Sequence, residues 1–304
     1  MGKVKLKPLA EQVIVITGGS SGIGLATAKM AAERGAKVVI AARSEDAIES
    51  IVEEIRGKGG DAIFVKCDVS KRADVDAAVQ ATIKKYGRIN TWVNNAGLSI
   101  YGRLDEVSED DSRKLFDTNF WGIYHGSLAA LPYLRREGGA LINVGSEVSE
   151  TVVPLQGMYS ASKHAVKGFT DALRVEIEEV DAAPVSITLI QPTATDTPFP
   201  QHAKNYMDKE PKLADPLDKP EDVAEAILDA AVNPTRSKKV GALSKINTTT
   251  AKLMPRLGDK MSAKQVDRQN YDEPPRNPEG ILEQASELTG VAGQKRGTGG
   301  RKSK

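Results

Sequence analysis

The sequence predicts an α/β protein: a doubly wound parallel sheet in a three-layer α/β/α arrangement, followed by a C-terminal helical and irregular extension. Three observations predict it. Strand-like runs alternate with helix-like segments through most of the chain. The strand-like runs are apolar throughout rather than at alternate positions, as strands covered on both faces are. The first of them is followed by a Gly- and Ser-rich loop and then by a segment with helical spacing, which is how a βαβ unit begins.

Residues 12–16 are a short β-branched run, residues 17–24 the loop, and residues 23–34 a helical segment rich in Ala and Lys. Gly35 ends that helix and residues 37–41 read as the second strand. Ser44 is placed to cap a charged helix to about Gly57, residues 62–66 form the third strand, and Ser70 is placed to cap a helix to about Tyr86. Residues 90–94 are the fourth strand, 111–136 one long helix, 140–144 a strand, 157–180 a helix and 185–190 the sixth strand. Residues 191–217, with several prolines and mixed polarity, read as an irregular lid. Lys219-Pro220-Glu221-Asp222 starts a helix to about Val232, with Pro at an early position and acids at the positive helix end. Residues 238–241 are a candidate seventh strand, and residues 244–269 supply one or two helices. From Asp272 the Pro- and Gly-rich composition predicts poorly ordered chain with one amphipathic patch at 281–288. The expected layout is therefore a main domain over 1–243, a helical extension over 244–271 and a largely disordered basic tail over 272–304.

Composition narrows the function classes. With 40% hydrophobic and 27% charged residues among 304, the chain reads as soluble and globular. A formal net charge of +1 makes no electrostatic case for nucleic acid or a membrane surface. One cysteine, Cys67, leaves no disulfide framework and no Cys-based metal site. It is expected to be buried and inert. No apolar run reaches membrane-spanning length, the basic N-terminus leads into a run too short for a signal peptide, and Leu6 breaks the myristoylation pattern. The expectation is a cytoplasmic protein. The tail from Gln294 carries five basic residues and no acid, and reads as a flexible solubilising end.

Ligands of parallel sheets bind outside the carboxyl ends of the strands, so functional motifs should fall just after a strand. Residues 17–24 do: glycines there let backbone amides approach a pyrophosphate, and the following helix N-terminus adds positive potential. No Gly-Lys-Ser/Thr follows, so the loop is not a Walker loop. Further on, Tyr159 and Lys163 are four residues apart and share one helix face. An ammonium near a phenol favours phenolate, which makes the pair a proton-transfer device. Taken alone, the same spacing also describes a solvated surface pair.

Together the motifs are specific. Thr17-Gly18-x-x-x-Gly22-x-Gly24, then Asn94-Asn95-Ala96-Gly97, then Tyr159-x-x-x-Lys163, with Ser146 thirteen residues before the Tyr and Asn119 in a long helix, resemble the short-chain dehydrogenase/reductase family. The resemblance covers roughly residues 9–200 and implies a Rossmann-like fold and an NAD(P)-dependent oxidoreductase acting on a carbonyl or secondary alcohol. It implies that Tyr159 exchanges a proton with the substrate oxygen, that Ser146 orients that oxygen, that Lys163 lowers the Tyr pKa and holds the nicotinamide ribose, and that Asn119 anchors a water in a proton relay. Such donors answer the negative charge that grows on a carbonyl oxygen as hydride arrives. For the cofactor it implies contacts from Gly18, Ser20, Ser21, Gly22, Ile23 and Gly24, from Asp68 at the adenine and Val69 beside it in sequence, from Asn95, Ala96 and Gly97 along the adenosine ribose, from Tyr159 and Lys163, and from Pro192 and Thr197 at the carboxamide. Ala42 occupies the position where an NAD-preferring site keeps a carboxylate, and Arg43 follows, which favours NADP(H). NAD(H) stays open, with Arg43 stacking on adenine.

Two departures from the family pattern bear on expectation. Thr193 stands where Gly usually follows Pro192, and some sixty residues follow Gly241 where the compact branch of the family ends. A homo-oligomer is expected, a dimer rather than the family tetramer. Leu98, Ser99, Glu147, Leu155, Met158, Thr193 and residues 199–207 are candidates for the substrate wall, and their mixed character suggests a modest apolar ketone, aldehyde or corresponding alcohol. His125, His164 and His202 lack metal-ligand partners and read as structural or exposed, and Trp92 and Trp121 as core or helix-face residues. The alternative function is a non-catalytic NADP-binding redox sensor. The complete Asn, Ser, Tyr and Lys set argues against it, because a sensor has no use for a proton relay.

Overall fold

The computed structural model describes residues 4–241, 244–285 and 290–293. A short 3-10 turn, Leu9–Glu11, leads into β1 (Val13–Thr17), α1 (Gly22–Glu33), β2 (Lys37–Ala42), α2 (Glu45–Gly57), β3 (Asp61–Lys66), α3 (Arg72–Tyr86) and β4 (Thr91–Asn94). A two-residue strand β5 (Ile100–Tyr101), α4 (Glu109–Phe116) and α5 (Gly122–Glu137) precede β6 (Gly139–Val144), α6 (Gly157–Arg174) and β7 (Val185–Pro192). Then come α7 (Phe199–His202), β8 (Lys204–Asn205), α8 (Pro220–Ala230), β9 (Ser237–Val240), α9 (Ser244–Leu253) and α10 (Pro255–Ala263).

Seven strands form one sheet in the order β3-β2-β1-β4-β6-β7-β9, and each neighbouring pair is parallel. After β3 the chain returns to the other side of β1, so the winding reverses between β1 and β4 and opens a crevice at their carboxyl ends. The strands are apolar at every position because the sheet has two covered faces. Ile14 and Ile16 of β1 pack with Leu25, Ile48, Ile51 and Ile227 on the side of α1, α2 and α8. Their neighbours Val13 and Val15 pack with Val75, Val79, Leu134 and Leu173 on the side of α3, α5 and α6. Each such fully buried aliphatic side chain is worth roughly 1.5–3 kcal/mol of transfer free energy, which fixes the register of the sheet.

The differences from expectation have local causes. Gln12 lies outside β1 because its side chain is used differently: its amide donates to Lys7 O and Ala231 O, at 2.7 and 2.8 Å, and its carbonyl oxygen accepts from Thr91 Oγ1. Ser70 does not cap α3, whose N-cap is Lys71. The Ser70 amide and hydroxyl donate instead to Asp68 Oδ1, at 3.1 and 2.7 Å, closing a turn that competes with the cap. Ser44 does stand at the N-cap of α2 but makes no side-chain capping bond. The expected helix 111–136 starts earlier, where Ser108 Oγ accepts from the Asp111 amide, and a π turn at Asp117–Trp121 divides it into α4 and α5. A second π turn, Val175–Val180, ends the helix that begins with α6. The lid holds α7 and a small parallel pairing of β5 with β8, and α9 and α10 are the two C-terminal helices.

The stretch from Asp272 is irregular as far as it is described, and it packs onto the domain. Leu282 is buried with Leu98, Ile100 and Leu115, an apolar anchor that average composition does not register. Residues 286–289, within the expected amphipathic patch, and the basic tail from Gln294 lie outside the described residues. No helix among the described residues is long and apolar enough to cross a membrane.

Candidate active site

A cleft of about 430 Å³ opens at the carboxyl ends of the strands. Of the cofactor candidates, Gly18, Ser20, Ser21, Gly22, Ile23, Arg43, Asp68, Val69, Asn95, Ala96, Gly97, Pro192 and Thr197 line it. So do Ser146, Tyr159 and Lys163. Gly24 and Asn119 stand behind the wall.

The glycine loop leaves β1 with Gly18 at φ +65°, where an added Cβ would meet Ala96 Cα at 2.7 Å. No side chain fits there, so the loop lies directly on the turn after β4. Thr17 fastens the two: its hydroxyl accepts from the amides of Asn95 and Ala96, at 3.0 and 3.3 Å. Asn95 Nδ2 returns hydrogen bonds to the carbonyls of Thr17 and Gly18, at 3.1 and 3.0 Å. At Gly24 a Cβ would come within 2.2 Å of Gly18 O, so this glycine serves close packing of α1 under the loop. Ser21, the N-cap of α1, makes no side-chain capping bond, and the Gly22 amide in the first turn donates to Gly290 O at 2.8 Å.

Arg43, just after β2, is half-buried, and burial pulls its pKa down while Asp68 pulls it up. Among the described residues no carboxylate pairs with it. A helix start with no side-chain cap, a glycine-rich loop and a half-buried guanidinium in no salt bridge lie along one side of the cleft. These features fit a dinucleotide phosphate chain.

Ser146 follows β6, and Tyr159 and Lys163 project from the first turns of α6. Ser146 lies near enough to the Tyr159 phenol to lower its pKa, and its Oγ accepts from the Val148 amide at 3.3 Å. Lys163 Nζ donates to Val144 O at 2.9 Å and lies 5.7 Å from the Tyr159 ring centroid. The expected lowering of the phenol pKa is not produced by these residues alone. Burial pushes Tyr159 up to about 12, against the lowering by Ser146, and the nearby Glu147 carboxylate adds to the rise. Burial likewise pushes Lys163 down to about 8. Both groups are held toward their neutral forms because the pocket desolvates each.

Asn119 sits in the π turn between α4 and α5. Its Nδ2 donates to Leu98 O and Ser162 Oγ, at 2.9 and 3.0 Å, and its Oδ1 accepts from the Leu98 amide at 2.8 Å. Through these bonds the side chain braces the loop after β4. Asn94, one residue before the loop, was read only as part of the motif and proves to be a second brace. It accepts from Trp92 Nε1 at 2.7 Å and donates to Asn143 Oδ1 at 2.8 Å, joining β4 to β6 beneath the site.

The substrate side is closed by groups far apart in sequence. Gln156 Nε2 donates to Gln269 Oε1 at 2.8 Å and its Oε1 accepts from Ser99 Oγ at 3.1 Å. Glu147, pushed up by burial, accepts from Asn247 of α9 at 3.0 Å. Leu98, Glu147, Thr193 and Phe199 line the cleft; Thr193 spends its hydroxyl on Asp218. Asn247, Gln265 and Gln269, from the C-terminal extension, also line it, and no local pattern marks them. His202 lines it too, lowered to about 4 by burial and the charge of Arg43, while His125 and His164 bond backbone carbonyls. Cys67 is buried, and burial raises its thiol to about 12. No group of three metal-ligating side chains exists among the described residues.

Similarity to known proteins agrees with this arrangement. The short chain dehydrogenase family model matches residues 12–207. The chain is 46% identical over 279 residues to the uncharacterized oxidoreductase YxnA of Bacillus subtilis, covering 91% of this chain and 78% of that protein. Among solved structures, the alcohol dehydrogenase of Thermococcus sibiricus complexed with 5-hydroxy-NADP aligns with a TM-score of 0.66 at 29% identity, over 75% of this chain and 94% of that one. The 3-ketoacyl-(acyl-carrier-protein) reductase of Brucella melitensis complexed with NADH aligns with a TM-score of 0.67 at 29% identity, over 76% of this chain and 97% of that one. The doubly wound sheet, the glycine loop at its switch point and these matches place the chain in the short chain dehydrogenase family of oxidoreductases.

Proposed function

We propose that the protein is an NADP(H)-dependent oxidoreductase that moves a hydride between the nicotinamide and a carbonyl or secondary alcohol, with Tyr159 as general acid and base. The observation that carries this reading is the convergence of Ser146, Tyr159 and Lys163 on one cleft with the glycine loop and Arg43. When bound, the nicotinamide supplies or accepts the hydride.

The chain's own residues do the rest. Tyr159 in its neutral form is a proton donor, and burial, which holds it neutral, suits it to protonate an oxygen that is gaining charge. Ser146, near the same phenol, fixes where that oxygen sits. Lys163, braced on Val144 O, places an ammonium beside the phenol, where a charged lysine stabilises the phenolate left after donation. In the oxidative direction the proton runs from the alcohol to the phenolate. Asn119 acts by holding the backbone at Leu98.

The preference for NADP(H) rests on Arg43, a half-buried cation after β2 that no carboxylate engages in a salt bridge, although Asp68 acts on it; such a cation matches a 2′-phosphate better than a 2′-hydroxyl. Arg43→Ala is expected to weaken NADPH by about 10- to 100-fold, the worth of one or two charge-assisted hydrogen bonds, and NADH by much less. Titration by cofactor fluorescence checks this, and equal losses would refute phosphate recognition. We further propose a modest apolar ketone or aldehyde as substrate, and a dimer in solution. An NADPH-consumption screen over aldehydes and ketones, with the reverse alcohol reaction, tests the first, and light scattering the second.

A further inference from the structure

We propose that the C-terminal segment, in its two described pieces 277–285 and 290–293, is a second wall of the dinucleotide site, a strap that must be released for the cofactor to exchange. This rests on the reading of the cleft as a nicotinamide-dinucleotide site.

The strap meets the cleft at three places. Arg43 donates through Nη2 to Ile281 O at 2.6 Å and through Nη1 to Leu282 O at 3.5 Å. The Gly22 amide, at the start of α1, donates to Gly290 O at 2.8 Å, and Ser21 pairs with Gly290 as an isolated parallel bridge. The Gly293 amide donates to Asp196 Oδ1 at 3.2 Å, one residue from Thr197. These are the adenosine-phosphate end, the pyrophosphate loop and the nicotinamide end of the proposed cofactor path. Ile281 and Ala285 line the same cleft as Gly18, Ile23, Asp68 and Lys163, so the strap bounds the space at those residues.

Its contacts differ in kind along its length. Toward the cofactor path it offers neutral carbonyl oxygens to Gly22 and Arg43. A phosphate oxygen is a stronger acceptor for both donors, so these contacts are exchangeable. At its root the strap is held by packing. Leu282 is buried with Leu98, Ile100 and Leu115, and the Ile281 amide donates to His202 O at 2.9 Å. Gly280 has φ +58°, and a Cβ there would lie 2.5 Å from the carbonyl carbon and oxygen of Ala203. The rim ion pairs of Lys204 with Glu279 and of Lys114 with Glu283 are exposed on the acidic side and add little. A firm root with a replaceable inner face is the construction of a lid over a bound ligand.

Two full-length variants release the root without altering any group assigned to the cofactor: Gly280→Val, which cannot seat against Ala203, and Leu282→Ser, which removes the apolar anchor. Each protein is loaded with NADPH, mixed in a stopped-flow instrument with excess NADP+, and followed by the loss of bound-NADPH fluorescence. The expected result is release at least about tenfold faster from both variants than from the unaltered chain. Release rates within about twofold for all three proteins would overturn the strap. Failure of all three to bind either NADPH or NADH would overturn the dinucleotide reading itself, and the strap with it.

Discussion

Replacing Lys163 by Met should change how stability depends on pH in the cofactor-free protein. Lys163 is buried, its pKa falls from an ordinary 10.5 to about 8, and burial is the cause. A lysine whose folded pKa is depressed binds fewer protons in the native state than in the unfolded state across the interval between the two values. Stability therefore rises with pH through that interval, and below the folded value the full penalty of a buried ammonium is present. Each unit corresponds to about 1.4 kcal/mol, so between pH 8 and 10 the unaltered chain should gain about 2 kcal/mol that the Met variant does not. The Met variant leaves Val144 O without its donor, but that cost is nearly independent of pH and drops out of the comparison. Urea unfolding of both proteins at pH 7, 8, 9 and 10 gives the difference directly, because titrations shared by the two chains cancel. A stability difference that stays constant over this range would refute the claim that burial depresses Lys163.

Two further predictions concern groups around the site. Gly18→Ala should cost at least about 1–3 kcal/mol and weaken cofactor binding, because φ +65° disfavours a side chain and the new Cβ would meet Ala96 Cα at 2.7 Å; thermal unfolding measures the loss. Cys67, raised to about 12 by burial, should resist iodoacetamide at pH 8 in the native protein and react on unfolding, which mass spectrometry resolves.

The layered fold was legible in the sequence because each strand has to satisfy two covered faces. Ile14 and Val15 point to opposite cores, so both must be apolar, and that repeated pattern is visible without any structure. The shared cleft of the glycine loop, Tyr159 and Lys163 was legible because the motifs depend on local spacing and follow strands. The bracing bonds of Asn119 to Leu98 and Ser162 were not legible, since they cross 21 and 43 residues. Ser70 was misread as a cap because a serine before a helix is equally suited to a local turn with Asp68. The wall contributed by Asn247 and Gln269 had no local signal, and the amphipathic patch that starts at Ile281 gave no sign of what it packs against. Such residues reveal their partners only once the chain has folded back onto the cleft. The same holds for the lysine–tyrosine pair: the spacing gave their proximity, but the desolvation that pushes Tyr159 up and Lys163 down depends on the tertiary enclosure.

In the proposed reaction the Tyr159 phenol moves the proton, and its hydroxyl contributes little to holding the cofactor. Tyr159→Phe keeps the ring and removes only the hydroxyl, so steady-state turnover and NADPH affinity measured on the same preparation separate the two roles. Loss of a general acid is worth about 10²- to 10⁴-fold in rate, so turnover should fall by at least about a hundredfold while NADPH affinity stays within about twofold. Turnover retained at a rate close to that of the unaltered enzyme would contradict the account.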